Sequence, residues 1–466
     1  MERNHLNFKT CLFIFGFLLC RLVINSFAQN SAQEDYGAQL YRAQLGHDIP
    51  RIHQLLKAQR GEAINFIESL LDSGIVKQAR GDISEGQVDC ILAKDLANHY
   101  QDVFSDGFYV SKANRFNKLN ETDLEIKSQI IQSKTACKND FYRGNFRGAL
   151  ERYRSALDLA RRISDIDEEA ALLGNIGACH FYLGDFDTAL EFYHKSLDIL
   201  KKIGDKRRIG NRLGNIASVY NDKSDYATAI SYYTQAIEIR QELNDRRGLA
   251  ADYNNLGMVR EEIGEYQLAV KHYRSALDLN REIDNIRGTG KNLANLANVQ
   301  INLGNYPEAL EIYEEALAIR REQGDRKGEG NDLGNIGIIY LSLGDYPRAG
   351  QYFREALSIH RELGYQEGEA YQLGRLAEMY TYQGEYARAI QSYQEAARIH
   401  SEMGHIHGEA HWLDALGEVY LVMGDHERAM ETLQTSLDKH RQIGDRSGEA
   451  SALAKIGNAH LKTGNN

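Results

Sequence analysis

The sequence predicts an all-α protein, a solenoid stacked from one helix pair used many times over. Three observations carry that expectation. Small residues and aromatics return every forty residues from about residue 125 onward. Within each unit, apolar residues are spaced by three and four, which collects them on one face of a helix. Three prolines in 466 residues are too few for a chain rich in tight turns and irregular loops.

The register is strict. Ala149, Ala189, Ala229, Ala269, Ala309, Ala349, Ala389 and Ala429 stand forty apart without a slip. A glycine row runs Gly144, Gly184, Gly264, Gly304, Gly344, Gly384 and Gly424, with Ser224 as its exception. Tyrosine or phenylalanine recurs at Tyr153, Tyr193, Tyr233, Tyr273, Tyr313, Phe353 and Tyr393. Gly177, Ala217, Gly257, Ala297, Gly337, Ala377 and Gly417 form a further small-residue row.

Each unit divides into two helices. Leu173, Ile176, Gly177 and His180 share one face of the first, and Ala189, Tyr193 and Ser196 share one face of the second. Gly-Asp or Gly-Asn between them stops one helix and caps the next. Pro307 and Pro347 fall in a first turn, where a missing N–H costs nothing. Small residues midway along both helices let the two axes approach closely.

These residues resemble the tetratricopeptide repeat. The Leu…Gly/Ala…Tyr series fits its first helix, and Ala…Tyr…Ala fits its second. The forty-residue length, with runs such as Leu173-Gly174-Asn175-Ile176-Gly177, is similar to the longer repeats of kinesin light chains and Pins-like adaptors. The resemblance implies a right-handed superhelical α-solenoid of stacked antiparallel helix pairs over 125–466. About eight repeats and a final unpaired helix near 447–463 are expected. The tryptophan usual in the first helix is absent, with Leu173, Leu213 and Tyr253 in its place.

Ahead of the repeats, residues 1–28 read as an export signal. Arg3 and Lys9 precede an apolar run from Leu12 to Leu19, and Ser26-Phe27-Ala28 supplies small residues before a cut. Arg21 interrupts the run that a permanent membrane anchor would need. A lipidated Cys20 fits poorly after Leu19. Export to a periplasmic or extracellular space, with no membrane insertion after cleavage, is the expectation; retention through the N-terminus is the lesser alternative. Residues 29–124 lack the register, but 50–72 and 83–104 have helical periodicity and are expected to form a helical cap region.

The candidate site is a row of asparagines. A helix advances 100° per residue, so Asn175 lies about 200° from Leu173, away from the packing face. Yet the position repeats as Asn175, Asn215, Asn255, Asn295 and Asn335, and becomes Arg375 one unit later. A carboxamide both donates and accepts, so it pairs with a peptide backbone whatever the side chain. Stacked first helices would space these amides by roughly 10 Å, about three residues of extended chain. The row resembles the asparagine ladder of O-linked N-acetylglucosamine transferases, which implies peptide binding in a concave groove. The alternative is that each amide satisfies a polar group of a neighbouring repeat. The Lys/Arg pair of carboxylate-clamp repeats is missing, since Gly174, Gly214, Asn254, Ala294 and Gly334 occupy those positions.

Net charge of −11 disfavours a nucleic-acid partner. Once the signal is removed, Cys90, Cys137 and Cys179 give neither a disulfide framework nor a zinc spacing. His407 and His411 stand four apart beside His405, but no carboxylate or cysteine completes a shell, so no metal is expected. Gly328-Glu329-Gly330 follows no strand and is no phosphate loop. The expectation is a non-enzymatic scaffold without cofactors, binding a protein or extended peptide. The alternative is a sensor or regulatory subunit whose catalytic domain sits on another chain.

Overall fold

A computed structural model describes residues 36–58, 60–104, 107–116 and 118–463. Residues 1–28, read as an export signal, lie outside the described residues. Those described form 22 α-helices and no strands. They divide into two compact units, one ending at Asn255 and the other starting at Leu256, with the division inside one helix.

In the first unit, α1 (Tyr36–Leu45), α2 (Ile49–Ala58), α3 (Arg60–Ala79), α4 (Ile83–Phe104) and α5 (Phe108–Phe116) precede the repeats. They enclose a core of their own around Ile52, Leu56, Ile67, Leu71, Leu96 and Tyr100. α3 also packs against α6 (Glu121–Tyr142), the helix that opens the repeats. Ion pairs fix this bundle in place: Lys112 meets Glu68 at 2.6 Å, and Arg115 meets Asp167 at 2.6 Å. Behind them Lys127, fully buried, is neutralised by Asp165 at 2.5 Å and Glu168 at 3.1 Å.

From α6 the chain alternates. α7 (Phe146–Arg162), α8 (Ile166–Tyr182), α9 (Phe186–Ile203), α10 (Lys206–Asp222), α11 (Tyr226–Leu243) and α12 (Arg246–Glu262) follow in the first unit, the last running into the second. The second unit continues with α13 (Tyr266–Glu282), α14 (Ile286–Asn302), α15 (Tyr306–Glu322), α16 (Arg326–Ser342) and α17 (Tyr346–Glu362). It closes with α18 (Gln366–Tyr382), α19 (Tyr386–Glu402), α20 (Ile406–Met423), α21 (His426–Ile443) and α22 (Arg446–Thr463). Within each unit consecutive helices pack as pairs, for example α8 with α9, α10 with α11 and α16 with α17.

Most of the expected joints are present, although Asn305 makes no side-chain cap bond and its amide donates to Gln300 at 2.9 Å instead. Asp165, Asp185, Asp205, Asp225, Asp325 and Asp345 each accept the backbone N–H three residues on, the N-cap bond. Gly184 takes φ +78° in the turn before its aspartate. Where the glycine row breaks, Ser224 adopts the same left-handed backbone at φ +59°. The turn is thus imposed by the repeat, at a cost of about 1–2 kcal/mol for an L-residue.

Close crossing is equally literal. Ala189, Ala229, Ala269 and Ala309 are wholly buried. A Cβ added to Gly177 would stand 2.7 Å from the Tyr193 ring, and one on Gly257 the same distance from Tyr273. The aromatic of the second helix fills the space that the small residue of the first leaves open.

Between repeats lies a feature that the rows do not announce. Near the end of several second helices a polar residue meets the cap residue five positions on, and in three of them also a buried residue twelve positions on. Arg240 binds Asp245 at 2.7 Å and Asp252 at 2.5 Å. Asn280 accepts from Asn285 at 2.7 Å and donates to Asn292 at 2.5 Å. Arg320 binds Asp325 at 2.7 Å and lies 3.5 Å from Asp332. His400 meets His405 at 3.0 Å, and His440 meets Asp445 at 2.8 Å. Burial pushes the Asp252 carboxyl up to about 6 against the pull of Arg240.

Two outcomes test this packing. Ala269→Leu or Ala309→Leu should destabilise by ~1–3 kcal/mol in thermal unfolding, because added methylenes have no room; an unchanged melt removes these alanines from the close crossing. Asp252→Leu alone should cost about 3 kcal/mol by stranding Arg240. Arg240→Met with Asp252→Leu should recover most of that loss, since an apolar pair replaces a buried ionic one. A double variant no better than the single one contradicts the pairing.

Candidate functional site

Adjacent first helices touch one another within each unit: α8 with α10, α14 with α16, and α16 with α18. They therefore lay successive asparagines along one continuous face in each unit. Asn175, Asn215 and Asn255 belong to the first unit, and Asn295, Asn335 and Arg375 to the second.

The helical-wheel calculation places these residues off the core but overstates their exposure. Only Asn215 is exposed; Asn175, Asn255, Asn295, Asn335 and Arg375 are half-buried. The reason is a layer that a single wheel does not contain. Tyrosines of the second helices pass behind the first helices and bring their hydroxyls to this face. The Tyr233 hydroxyl lies 2.9 Å from Ser218 Oγ and is hydrogen-bonded to Asn255. In the second unit, Tyr313 donates to Asn298 and is hydrogen-bonded to Asn335. Tyr273 donates to Glu261 at 2.9 Å.

The row therefore holds two kinds of amide. Asn255 and Asn335 each have a tyrosine partner from the preceding repeat. Asn175 makes no hydrogen bond among the described residues. Asn215, with its carboxamide in the orientation that satisfies both ends, donates to the Asn211 carbonyl at 3.3 Å and accepts from Arg212 Nη1 at 3.2 Å. Arg375 is engaged on its own helix, donating to Glu378 at 2.8 Å and the Tyr371 hydroxyl at 2.9 Å. Both sequence readings are thus represented, at different rungs.

The same face explains the small residues at the clamp positions. Side chains at Gly334 and Gly374 would collide with Gln372 and Trp412 of the following repeat. A side chain at Gly174 would overlap the guanidinium of Arg212. Arg212 is a residue that the sequence reading passed over. It is 7% exposed, its charge lies 5.1 Å from the centre of the Tyr193 ring, and its buried Nε has no acceptor.

Of the three histidines near 405, His407 and His411 line one cavity with Asp414 and Asp445, but none of the three belongs to a group of ligand-type atoms within 4.8 Å of one another among the described residues. His405 turns to His400, His407 lies 3.8 Å from Asp445, and His411 lies edge-on to Trp412 at 4.5 Å between ring centres. Elsewhere His53, His99 and Asp102 bring ligand-type atoms within 4.8 Å of one another. Spacing gave no hint of that group, since its two histidines lie on α2 and α4. Cys90, Cys137 and Cys179 are buried free thiols, and burial raises the pKa of each.

Comparison with known proteins agrees with this architecture. The family model described as Tetratricopeptide repeat matches residues 139–202, 209–282, 289–362, 333–402 and 369–442, well over half of the chain. No curated protein matches the sequence. Among solved structures, BtubC (BKLC) from P. vanneervenii is 22% identical, with 46% of this chain and 91% of that one covered and a TM-score of 0.42. The apo quorum sensor NprR from B. thuringiensis is 16% identical over 78% of this chain and 97% of its own, at a TM-score of 0.50. A signal transduction ATPase with a tetratricopeptide repeat sensor, from Pyrococcus horikoshii, is 16% identical over 78% of this chain and 55% of its own, at 0.53. Identities this low show the fold and nothing finer.

Proposed function

The chain belongs to the tetratricopeptide repeat family, and on that premise we propose that it is a non-enzymatic scaffold holding an extended peptide or protein segment. The segment lies along the face of the first helices within a unit, with backbone amides on Asn175, Asn215 and Asn255 in the first and on Asn295 and Asn335 in the second. One observation carries this reading: Asn175 and Asn215 repeat with the architecture, stand off the packing face and have hydrogen-bonding capacity left over. Capping and helix pairing are already satisfied without them, so their recurrence calls for a ligand.

A regulatory reading sits beside it. Two of the similar structures are sensors by name, one of them part of a larger ATPase. In that case the bound segment is a signal, and the catalytic domain belongs to another chain. Either way the partner meets the protein after export, since residues 1–28 have the order of a cleaved signal.

Asn175→Ala should leave the melting temperature unchanged while weakening peptide binding by ~0.5–1.5 kcal/mol, whereas Asn215→Ala should also lower stability, because the buried Arg212 loses its acceptor. Asn335→Ala should in addition lower stability by about 1 kcal/mol, because the Tyr313 hydroxyl loses a partner. Unfolding curves and titrations with peptides selected from an array read both quantities. A drop in stability from the Asn175 change, with affinity per folded molecule unaltered, rejects the groove. For export, N-terminal sequencing of native protein should find Gln29 first; an intact Met1 start rules out cleavage.

A further inference from the structure

Arg212 occupies, between α8 and α10, the place that Asp252 and Asp332 occupy one and three junctions later. At those junctions the residue twelve positions earlier supplies the opposite charge: Arg240 for Asp252, and Arg320 for Asp332. The residue twelve before Arg212 is Leu200, which is wholly buried and apolar. The nearby carboxylates are committed elsewhere. Asp205 and Asp167 both bind Arg208, and Asn211 accepts from Arg240 at 3.1 Å.

Arg212 is thus a guanidinium, more than nine-tenths buried, that enters no ion pair among the described residues. Its neighbours are the Tyr193 ring, the bare backbone at Gly174 and one neutral acceptor, the Asn215 amide. Burial draws its pKa down to about 10, which leaves the group charged at neutral pH. A buried charge without a counter-ion is costly unless its partner arrives from outside. The partner must also reach the face where Asn215 is exposed.

We propose that Arg212, beneath Asn215 and beside Gly174-Asn175, is a built-in anchor for a carboxylate, the Asp or Glu side chain of a peptide lying along this face. A guanidinium fork matches the two oxygens of a carboxylate. A single free cation also matches one negative charge, whereas a phosphate would need more, and Arg208 is already neutralised. This inference rests on the peptide-groove reading and adds to it the chemistry and position of one specificity contact.

Arg212→Met tests it in the full chain, because Met keeps the stem over Tyr193 and removes the charge. Without ligand, the variant should melt at or above the wild-type temperature. A clear fall would mean that the guanidinium is already compensated, and the anchor is withdrawn. The probe is an array of C-terminally amidated nonapeptides in matched pairs, each differing by one Glu or Gln. Wild-type protein should bind the Glu member of selected pairs about ten- to a hundredfold more tightly, the range for charge-assisted hydrogen bonds. Arg212→Met should bind both members alike, with Gln-member affinity unchanged. Repeating the pairs as free acids separates a terminal carboxylate: preference that appears only there and vanishes in Arg212→Met moves the anchor from side chain to terminus and overturns the assignment made here. Equal binding of Glu and Gln members by wild type, or a preference that survives in the variant, overturns the anchor and leaves the groove standing. Failure to bind any array peptide counts against the groove itself.

Discussion

Three successive junctions between repeats hold a polar contact sealed within an apolar wall, and the register of the stack there depends on it. Alanine, glycine and tyrosine rows bury surface wherever two helix pairs meet, but identical rows would pack equally well with any neighbouring copy. Direction and partner come from the buried hydrogen bonds that join a second helix to the cap and first helix that follow. Arg240 with Asp245 and Asp252 is the fullest example, with all three groups of the guanidinium satisfied once Asn211 is included. Left unpaired in such a place, any of these groups costs more than the pair contributes when made.

The fold was legible because it depends on residues that must be the same in every unit. Small residues at the crossing and aspartate at the cap answer a geometry repeated forty residues later, so they form visible rows. The junction was not legible for the opposite reason. Its two ends are Arg and Asp, then Asn and Asn, then Arg and Asp again, then His opposite Gln372 or Trp412. No residue type recurs often enough to make a row; what recurs, at the three junctions from Arg240 to Asp332, is a hydrogen-bonded pair across twelve positions. Ser224 shows the converse, a broken row with an unbroken backbone conformation.

The asparagine face was legible in direction and not in depth. One helix suffices to compute that Asn175 and Asn335 turn from the packing side. That Tyr313 reaches Asn335 depends on a second helix, whose hydroxyl position no periodicity encodes. Arg212 was passed over because it falls in no row, and its meaning appears only when Leu200 is seen where an acid would complete the pattern. A binding surface assembled this way carries its common part in the repeated amides and its selective part in the exceptions.

The junction residues also bear on how such a chain changes length. Losing one forty-residue unit after Arg240 would set that guanidinium against Asn292, a neutral partner inside a wall. Losing two would set it against Asp332, restoring the pair it has now, with Asp325 as its new cap. Loss of eighty residues at such a breakpoint therefore preserves the interior here, while loss of forty strands a charge. Unequal recombination is filtered by this parity only where the breakpoint falls between Arg240 and Asp252; a break in the residues between Asp252 and Asn280 leaves every pair whole, so the buried chemistry constrains where a unit is lost.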